Sequence, residues 1–345
     1  MKRKIVAATC LFLLMFPTFF AVSSIELKDN IIYVDDGNNE GPWRGTWEHP
    51  YQFIKDGIDN ASTDDTVFVF NGTYYENIFI DKTISLIGED RNTTIIDGGG
   101  ENDVVCIQSG NDGVVLLGFT IQNSGNYTTD YTKDAGVDIH SDNNKISHNI
   151  IIHHPRYGIK LTHANKNIIT NNIISHSGYP GYLIGSITLD FSNDNNISNN
   201  IITSNNNTGI ELKLSNRNII SGNTISLNYI GISLWDNGAQ CTDNVIIRNN
   251  IKDNREGISI RRSGNIISQN NFINNWNRHA SSLPNFMSRD LRFITRNTWD
   301  ANYWDDWKGL ESSLFSMFPK YIPIGLNFDW HPVSESYDIS GGEQN

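Results

Sequence analysis

The residues best suited to bind or transform a ligand are concentrated between positions 124 and 190 of the chain. The segment His153-His154-Pro155-Arg156-Tyr157 combines two imidazoles, a guanidinium and a phenol. The segments 124–134 and 178–185 are insertions relative to the neighbouring repeats, and they carry Tyr127, Tyr131, Tyr179 and Tyr182. Aromatic rings pack on sugar faces, and a guanidinium can bind a carboxylate with two hydrogen bonds. We therefore predict a glycan-binding cleft that is walled by these two loops and floored by His153, His154, Arg156 and Tyr157. The alternative is that the loops only decorate two corners.

Three acidic side chains, Asp138, Asp190 and Glu211, occupy outward positions of predicted strands beside this cleft. A glycoside hydrolase needs two or three carboxyl groups around one glycosidic bond. A polysaccharide lyase needs a base and a means of neutralising a uronate, usually calcium. Lys160 and Lys213 occupy neighbouring outward positions, so cross-strand ion pairing on a solvated face is the simpler interpretation. The three acids are kept as candidate catalytic residues, and calcium as a possible cofactor.

Two pairs of histidines have the spacing of a possible transition-metal site. His140 and His163 are 23 residues apart, as are His153 and His176, and this distance is one repeat of the chain. Equal register would place the two members of each pair on adjacent coils, about 5 Å apart. Two converging imidazoles can share an ion such as copper, although such a site is weak without a carboxylate or thiolate. Ordinary stacking of polar side chains is the alternative.

A sixfold repeat supplies the elements that would position all of these residues. Its copies share an N-x-x-x-x-N core that begins at Asn144, Asn167, Asn195, Asn218, Asn244 and Asn265, with starts 23, 28, 23, 26 and 21 residues apart. This period allows either leucine-rich repeats or a parallel β-helix. The short runs of Ile, Ser and Thr have no 3.6-residue periodicity, which favours the β-helix.

The second Asn of each core recurs in a fixed register, at Asn149, Asn172, Asn200, Asn223, Asn249 and Asn270. On stacked coils these amides could hydrogen-bond to the equivalent residues above and below, and Asn tolerates the backbone of a corner. We therefore predict an all-β chain that forms a single-stranded right-handed parallel β-helix (solenoid) over residues 66–279, with an Asn ladder at one corner.

The flanking segments are expected to cover the two open ends of this solenoid. Residues 24–65 should form an N-terminal strand and a short capping helix, in which Ile54 and Ile58 lie on one face. Residues 280–333 are rich in Trp and should form a C-terminal cap, although such rings could also stack on sugars. Residues 334–345 are predicted to be a disordered tail.

The first 23 residues are typical of a secretory signal peptide. Lys2, Arg3 and Lys4 precede an apolar run, and small residues follow at positions 21–23. A membrane anchor is the alternative, but the run is short for a membrane span and no second run of spanning length follows. Cleavage would remove those three basic residues and change the net charge from −12 to −15. This charge makes nucleic acid a poor partner, and we expect a monomer that is secreted or held at the cell surface.

Three stretches of the sequence resemble a known family: "ENIFIDKTISLIGEDRNTTIIDGGG", "NIISGNTISLNYIGISL" and "NTWDANYWDDWKG". They are similar to NosD-type right-handed β-helix repeat proteins of the pectin-lyase-like superfamily, particularly exported surface proteins of archaea. The resemblance covers roughly residues 31–333 and implies the β-helix fold. Its class includes carbohydrate-binding and sugar-cleaving proteins, surface proteins of unknown role and a periplasmic factor in copper-enzyme maturation. The tail departs from the family's Gly/Asp-rich turn after Gly309.

Together these features predict an exported protein that binds carbohydrate or another cell-envelope polymer. The first alternative is a polysaccharide lyase, epimerase or hydrolase, and the second is a metal-handling or purely structural envelope protein. A convergent pair of acids in the cleft would favour the enzyme, a flat aromatic floor would favour the binder, and the absence of both would favour the structural protein.

Overall fold

The computed structural model describes residues 30–125, 134–178, 184–235, 241–261, 264–282, 297–307, 319–322 and 327–339. The predicted signal peptide and the loop residues Tyr127, Tyr131, Tyr179 and Tyr182 lie outside these ranges. In the described part of the chain, no helix is long and apolar enough to cross a membrane.

The described strands form three parallel sheets, and each coil of the solenoid passes through sheet A, then sheet B, then sheet C. Sheet A consists, in spatial order, of Ile31–Val34, Thr66–Val69, Ser85–Gly88, Val115–Leu117, Lys145–Ser147, Ile168–Thr170, Asn196–Ser198, Ile219–Ser221, Val245–Ile247, Ile266–Ser268, Thr298–Asp300, Asn327–Asp329 and the antiparallel Lys320–Ile322. Sheet B consists of Gly72–Tyr75, Thr94–Asp97, Thr120–Gln122, Ile150–Ile152, Ile173–Ser175, Ile201–Thr203, Thr224–Ser226, Asn250–Lys252, Asn271–Ile273 and Tyr303–Trp304. Sheet C consists of Ile78–Ile80, Val105–Ile107, Ala135–Ile139, Tyr157–Thr162, Gly185–Asp190, Thr208–Lys213, Ile230–Trp235, Glu256–Ile260 and Arg278–Ser282.

The core is a set of inward-pointing Ile and Leu columns that run along the solenoid axis. In sheet A, Ile146 pairs in register with Ile169, and Ile169 with Ile197, and all three are fully buried. Burial of one such side chain contributes about 1.5–3 kcal/mol. Their neighbours in the same strands, such as Ile168 and Ile219, point outward and are exposed. The predicted parallel β-helix is confirmed.

The predicted Asn ladder is present, and each rung is held by more bonds than side-chain stacking alone. The side-chain oxygen of Asn200 accepts bonds from both the backbone N–H and the side-chain amide of Asn172, at 2.9 and 3.1 Å. Its own amide donates to the side-chain oxygen of Asn223 at 3.0 Å and to the carbonyl of Ile169 at 2.9 Å. Each Asn therefore ties together three successive coils.

Two further ladders follow the same pattern. The first Asn of each core forms one of them, so that the amide of Asn195 donates to the side-chain oxygen of Asn218 at 3.1 Å. The other ladder runs through Asn205, Asn228, Asn254 and Asn275, just before the strands of sheet C. Residues that directly precede a ladder Asn commonly have positive φ. The side-chain bonds therefore stabilise tight corners that the backbone alone disfavours.

Both ends of the solenoid are closed. The helix Ile54–Asn60 covers the first coils with its buried Ile54 and Ile58, and the Glu76 carboxylate accepts bonds from the N–H groups of Ile54 and Lys55 at its N-terminus. At the other end Trp304 is buried. There the second-Asn ladder ends on Asp329, which accepts from the backbone and side-chain amides of Asn302 and from the Trp304 indole.

The segment predicted to be a disordered tail is described as far as residue 339, and this part is bound along sheet B. The backbone N–H of Tyr337 donates to the side chain of Asn271 at 2.8 Å, and Asn271 returns a bond to the Tyr337 carbonyl. Asn250 donates to the carbonyl of Ile339. Outward Asn side chains of the last coils thus act as a hydrogen-bonding edge for the tail.

Candidate functional site

The outer face of sheet C carries a buried group of charged side chains next to the predicted cleft. Strands Ala135–Ile139 and Gly185–Asp190 begin just after the segments predicted to wall that cleft. Their outward residues Asp138 and Thr188 are buried, as is Glu211 on the next strand. This face therefore differs from the solvated surface of sheet A and is the first candidate for a functional site.

The residues predicted to floor the cleft lie in different environments. His153 is exposed at the corner, with its ring centre 5.4 Å from that of His176 on the adjacent coil. The Arg156 guanidinium lies 4.8 Å from the centre of the Tyr157 ring, and the Tyr157 side chain is itself buried. Burial raises the pKa of the Tyr157 phenol to about 12. Arg156 and Tyr157 therefore form a packed pair rather than an open floor.

His154 does not line a cleft, because it takes the place of an Asn in the ladder nearest sheet C. It is 1% exposed, its Nε2 lies 3.0 Å from the carbonyl of Ile121, and its Nδ1 accepts the N–H of Ser124 at 3.4 Å. Burial lowers its pKa to about 4, so the ring is neutral and donates through Nε2. The expectation that His154 contacts a glycan needs this correction, since the ring closes a corner from inside.

Two aspartates in this region are paired with cations. Asp134 accepts a bond from Arg156 at 2.8 Å, and Asp138 binds Lys160 at 3.2 Å and His140 Nε2 at 3.1 Å through the same oxygen, Oδ2. The Oδ1 atoms of both aspartates are buried and have no hydrogen-bond partner among the described residues. Because Asp138 accepts its hydrogen bond, the pKa of His140 is raised.

Asp103 completes this cluster and was not predicted from the sequence. Its Oδ1 accepts the N–H of Ala135 at 2.8 Å. Burial, and after it the charge of Asp138, raises the pKa of the Asp103 carboxyl to about 7. A carboxyl group that keeps its proton near neutral pH beside a cation-bound carboxylate has the chemistry of a general acid. The sequence signal is position, since Asp134 directly precedes one strand of sheet C and Asp103 lies two residues before another.

The three acids singled out from the sequence are not brought together. Asp138 and Glu211 lie in one outward column, three strands apart, which is about 14 Å at the usual strand spacing. Glu211 binds Lys213 at 3.1 Å and accepts the N–H of Gly185 at 3.0 Å. Asp190 lies in the next column, opposite Lys213. Asp103, Asp134 and Asp138 are instead the acids whose charges influence one another in this region.

We expect Arg156→Met to lower the free energy of unfolding by about 2 kcal/mol, because it leaves the buried Asp134 carboxylate without its charged partner. The double variant Arg156→Met, Asp134→Asn should recover most of this loss, because the buried charge is removed together with its partner. Urea denaturation of both variants at pH 7 measures the difference. An equal loss in the single and double variants would show that Arg156 acts through packing rather than charge.

An exposed aromatic edge lies further along sheet C, at the corners that lead into its last strands. Tyr229, Arg255 and Trp276 each follow an Asn of the adjacent ladder, on three successive coils. The Arg255 guanidinium lies 4.4 Å from the Tyr229 ring centre and 5.5 Å from that of Trp276. Tyr229 is 41% exposed and Trp276 is 71% exposed. This aromatic edge therefore presents two rings to solvent, roughly 10 Å apart along the axis.

A pocket of about 380 Å³ opens beside Trp276 at the C-terminal end of sheet C. Trp276, Arg278 and His279 line one side, and Lys320 and Tyr321 of the C-terminal cap line the other. This pocket and the aromatic edge were not identified from the sequence. The sequence signal for the aromatic edge is the spacing of Tyr229, Arg255 and Trp276, which equals the repeat although the three residues are of different types.

Among the described residues, His279, Asp305 and Asp306 form a group whose side-chain atoms are close enough to share a cation. His279 Nε2 lies 2.8 Å from Asp305 Oδ1 and 3.5 Å from Asp306 Oδ1, but Lys320 already binds Asp306 at 2.6 Å. On the other side of the ring, the amide of Asn275 lies 3.2 Å from Nδ1.

The ladder fixes which nitrogen of His279 carries the proton. The Asn275 side-chain oxygen accepts from Asn254, so the NH₂ group must face Nδ1 of His279. Nδ1 is then the acceptor, and Nε2–H donates to Asp305. Burial lowers the pKa of His279 and keeps the ring neutral. A metal at Nε2 would have to displace this proton.

The two predicted histidine pairs have different outcomes. His153 and His176 are adjacent and exposed, as their spacing predicts. His140 is not in register with His163, because Ile139 pairs with Leu161 and His140 therefore lies opposite Thr162. His140 binds Asp138, whereas His163 stacks on Phe191 with ring centres 5.0 Å apart. The shift arises because one more residue lies between Leu161 and the next ladder Asn than between its partner Ile139 and the next ladder Asn.

Solved structures with the same fold include carbohydrate-active proteins. XylC in complex with xylose matches with a TM-score of 0.61 at 13% identity, over 73% of this chain and 67% of that chain. The catalytic domain of a GH87 α-1,3-glucanase in complex with nigerose matches with a TM-score of 0.52 at 11% identity, over 73% and 56%. The GH136 lacto-N-biosidase of Eubacterium ramulus matches with a TM-score of 0.51 at 11% identity, over 79% and 62%. At these identities the likeness establishes the fold alone.

The sequence itself matches a family model described as "Periplasmic copper-binding protein (NosD)" over residues 58–309. No curated protein matches the chain. The matched segment contains nearly all of the described solenoid, including the three Asn ladders and the outer face of sheet C. The chain therefore belongs to the NosD family.

Proposed function

We propose that this protein is an exported envelope protein that binds carbohydrate along the outer edge of sheet C. The observation that carries the proposal is the aromatic edge, in which the Arg255 guanidinium contacts both Tyr229 and Trp276 while the two rings stay partly exposed to solvent. The spacing of about 10 Å between the two rings comes from two coils of the solenoid. It is comparable with the length of a disaccharide unit in an extended glycan.

Several further features support a glycan over other ligands. Exposed aromatic rings with polar neighbours stack on sugar faces, and the nearby pocket adds Arg278, Lys320 and Asp306 as hydrogen-bonding groups. The charges beside the aromatic edge nearly balance, with Arg278 bound to Glu256 and Lys320 bound to Asp306. This balance favours a neutral glycan over a strongly acidic one. Xylose and nigerose complexes of proteins with the same fold are consistent with the proposal.

Export is supported by the basic and apolar residues 1–23 and by the periplasmic description of the family. N-terminal sequencing of the mature protein from a cell-envelope fraction tests it, with a new N-terminus near residue 24 as the expected result. An intact Met1 in a cytoplasmic fraction would contradict export.

The binding proposal predicts that Trp276→Ala weakens glycan binding at least tenfold, about 1.4 kcal/mol, which is in the range of aromatic stacking. A polysaccharide array identifies the polymer, and affinity electrophoresis on that polymer compares the variants. Tyr229→Ala should have a smaller effect, because Tyr229 is less exposed. Both rings lie outside the core, so the melting temperature should change little.

Trp330→Ala is the matched control, because Trp330 is 61% exposed but follows strand Asn327–Asp329 of sheet A rather than a strand of sheet C. It should bind like the wild type. Equal retention of wild type and Trp276→Ala on the identified polymer would exclude the aromatic edge. The absence of any bound polymer in the array would exclude carbohydrate binding.

A polysaccharide-cleaving enzyme is the second candidate, and the observation that favours it is Asp103. Its raised pKa leaves a proton on a carboxyl group beside Asp138, as a general acid requires. The test is release of reducing ends or of unsaturated uronate from the polymer identified in the array. Activity that is abolished in Asp103→Asn, with binding retained, would favour the enzyme over the binder.

Copper, which the family's description names, does not fit the donor groups of the described residues. At His279 the hydrogen bond from the Asn275 amide to Nδ1 leaves the proton on Nε2, and Lys320 already binds the Asp306 carboxylate. The His153–His176 pair has no third His, Cys, Asp or Glu ligand within reach in the described part of the chain. Two imidazoles without a third ligand bind such an ion weakly. No step of the proposed function involves copper.

A further inference from the structure

The pocket beside Trp276 lies where the aromatic edge meets the C-terminal cap. Sheet C ends at strand Arg278–Ser282 in the described chain, and the cap strand Lys320–Ile322 packs against that strand. Trp276 and Arg278 form the wall that continues the edge, whereas Lys320 and Tyr321 form the wall that crosses it. A ligand that follows the edge along the axis therefore enters the pocket and meets the cap.

The cap wall is held in place by contacts that involve neither Trp276 nor Tyr229. Lys320 binds Asp306 at 2.6 Å, and its ammonium lies 5.9 Å from the centre of the buried Trp304 ring. Tyr321 packs on Phe328 and is 50% exposed. The wall is thus a fixed part of the cap, with one aromatic ring available to a ligand.

The size and polarity of the pocket suit one end of a sugar chain. A volume of about 380 Å³ is near the lower limit of small-molecule sites, about 300–1,000 Å³, and leaves room for one or two sugar rings. The charges of Arg278, Lys320 and Asp306 are largely compensated by ion pairs, including Arg278 with Glu256. Neutral His279 donates to Asp305 rather than into the pocket. The pocket therefore offers polar groups without a strong net charge, which matches the hydroxyl groups of a neutral sugar.

We propose that this pocket holds the terminal sugar of a neutral glycan whose following units lie over Trp276 and Tyr229. The protein then recognises chain ends rather than chain interiors. This inference rests on the proposed carbohydrate binding and adds which part of the polymer is bound. Trp276 serves both regions, because it lines the pocket and also forms part of the edge.

The test uses the polymer that gives the strongest array signal, in its intact form and after partial hydrolysis to short chains. At constant polymer mass, hydrolysis multiplies the number of chain ends and leaves the number of sugar units unchanged. Calorimetric titration with full-length mature protein then measures how much protein is bound per gram. Recognition of ends predicts that this capacity rises by the same factor as the number of ends.

A variant of the cap wall, Lys320→Met with Tyr321→Ala, should lose this rise, because the pocket no longer fits a terminal sugar. It should also bind the hydrolysed chains more weakly than the wild type does. Tyr75→Ala is the matched control, because Tyr75 is exposed on sheet B, and it should behave like the wild type. A melting temperature for each variant shows that the fold is retained.

A capacity per gram that stays constant or falls on hydrolysis, with the intact polymer still bound, would overturn recognition of chain ends and leave carbohydrate binding standing. Wild-type behaviour of the cap-wall variant would also overturn it, by excluding the pocket. If neither the intact nor the hydrolysed polymer is bound, the proposed function fails and this inference fails with it.

Discussion

Replacing Asn200 by Leu should lower the free energy of unfolding by about 3 kcal/mol or more. The side chains are similar in size, so the loss comes from hydrogen bonds rather than volume. Asn200 accepts two bonds from Asn172 and donates to Asn223 and to the carbonyl of Ile169. These four bonds involve three residues, all of them buried, and each unsatisfied buried polar group costs about 1–3 kcal/mol.

The matched control is Asn206→Leu, in the next corner of the same coil. Asn206 is exposed and its side chain makes one bond, to the carbonyl of Gly178. Its replacement should change stability by no more than about 0.5 kcal/mol, as is usual at the surface. Urea denaturation followed by circular dichroism measures both variants. Equal destabilisation by the two substitutions would mean that the ladder contributes no more than any other Asn in the chain.

The sequence predicts the solenoid well because the same two physical constraints recur in every coil. Ile146 and its equivalents must face inward, and Asn149 and its equivalents must satisfy the backbone of a corner. Both requirements leave the same residue types at the same spacing. The repeat therefore reveals the strands and the second-Asn ladder. The ladder through Asn205 and Asn228 is harder to recognise, because Ser177 and His154 replace Asn in its first coils.

The candidate site is less predictable, because it depends on register and on burial of the outer face. The sequence suggests that His140 and His163 are equivalent when both are counted from the following Asn. The strands align from their starts instead, and His140 lies opposite Thr162. Asp103 does not stand out in the sequence, since its importance comes from burial and from the charge of Asp138. Neither effect is visible in residue spacing.

The aromatic edge was missed for a different reason. Tyr229, Arg255 and Trp276 occupy equivalent positions, but they alternate ring, cation and ring. A search for identical residues at the repeat spacing does not find such a set. A search for any large side chain directly after the ladder Asn would find it.

Replacing Asp103 by Asn should make the protein more stable at pH 8 than the wild type and leave the two nearly equal at pH 4. The folded-state pKa of Asp103 is about 7, compared with an ordinary value of 3.8. Between these values the folded state binds more protons than the unfolded state, so wild-type stability falls as pH rises through this window. The cost of ionising the buried carboxyl is fully present above pH 7.

The difference between the two pKa values corresponds to at most about 4 kcal/mol, since one unit is about 1.4 kcal/mol. The Asn variant keeps an oxygen to accept the N–H of Ala135 and has no charge to bury. Its stability should therefore not carry this contribution. Other buried acids such as Glu211 add to the wild-type slope in the same direction, so the difference between wild type and variant isolates Asp103.

Asp194→Asn provides a control in which the stability difference from wild type should change with pH in the opposite direction. A hydrogen bond from Arg217 lowers the pKa of Asp194, so the wild type should gain stability over that variant as pH rises through the titration of this carboxylate. Urea denaturation of the three proteins at intervals from pH 2 to pH 8 measures both trends: the Asp194 trend falls below its ordinary pKa of 3.8, and the Asp103 trend falls between pH 4 and pH 8. If the free energies of unfolding of Asp103→Asn and wild type differ by a constant amount between pH 4 and pH 8, Asp103 is ionised throughout. It then has no proton to donate as a general acid.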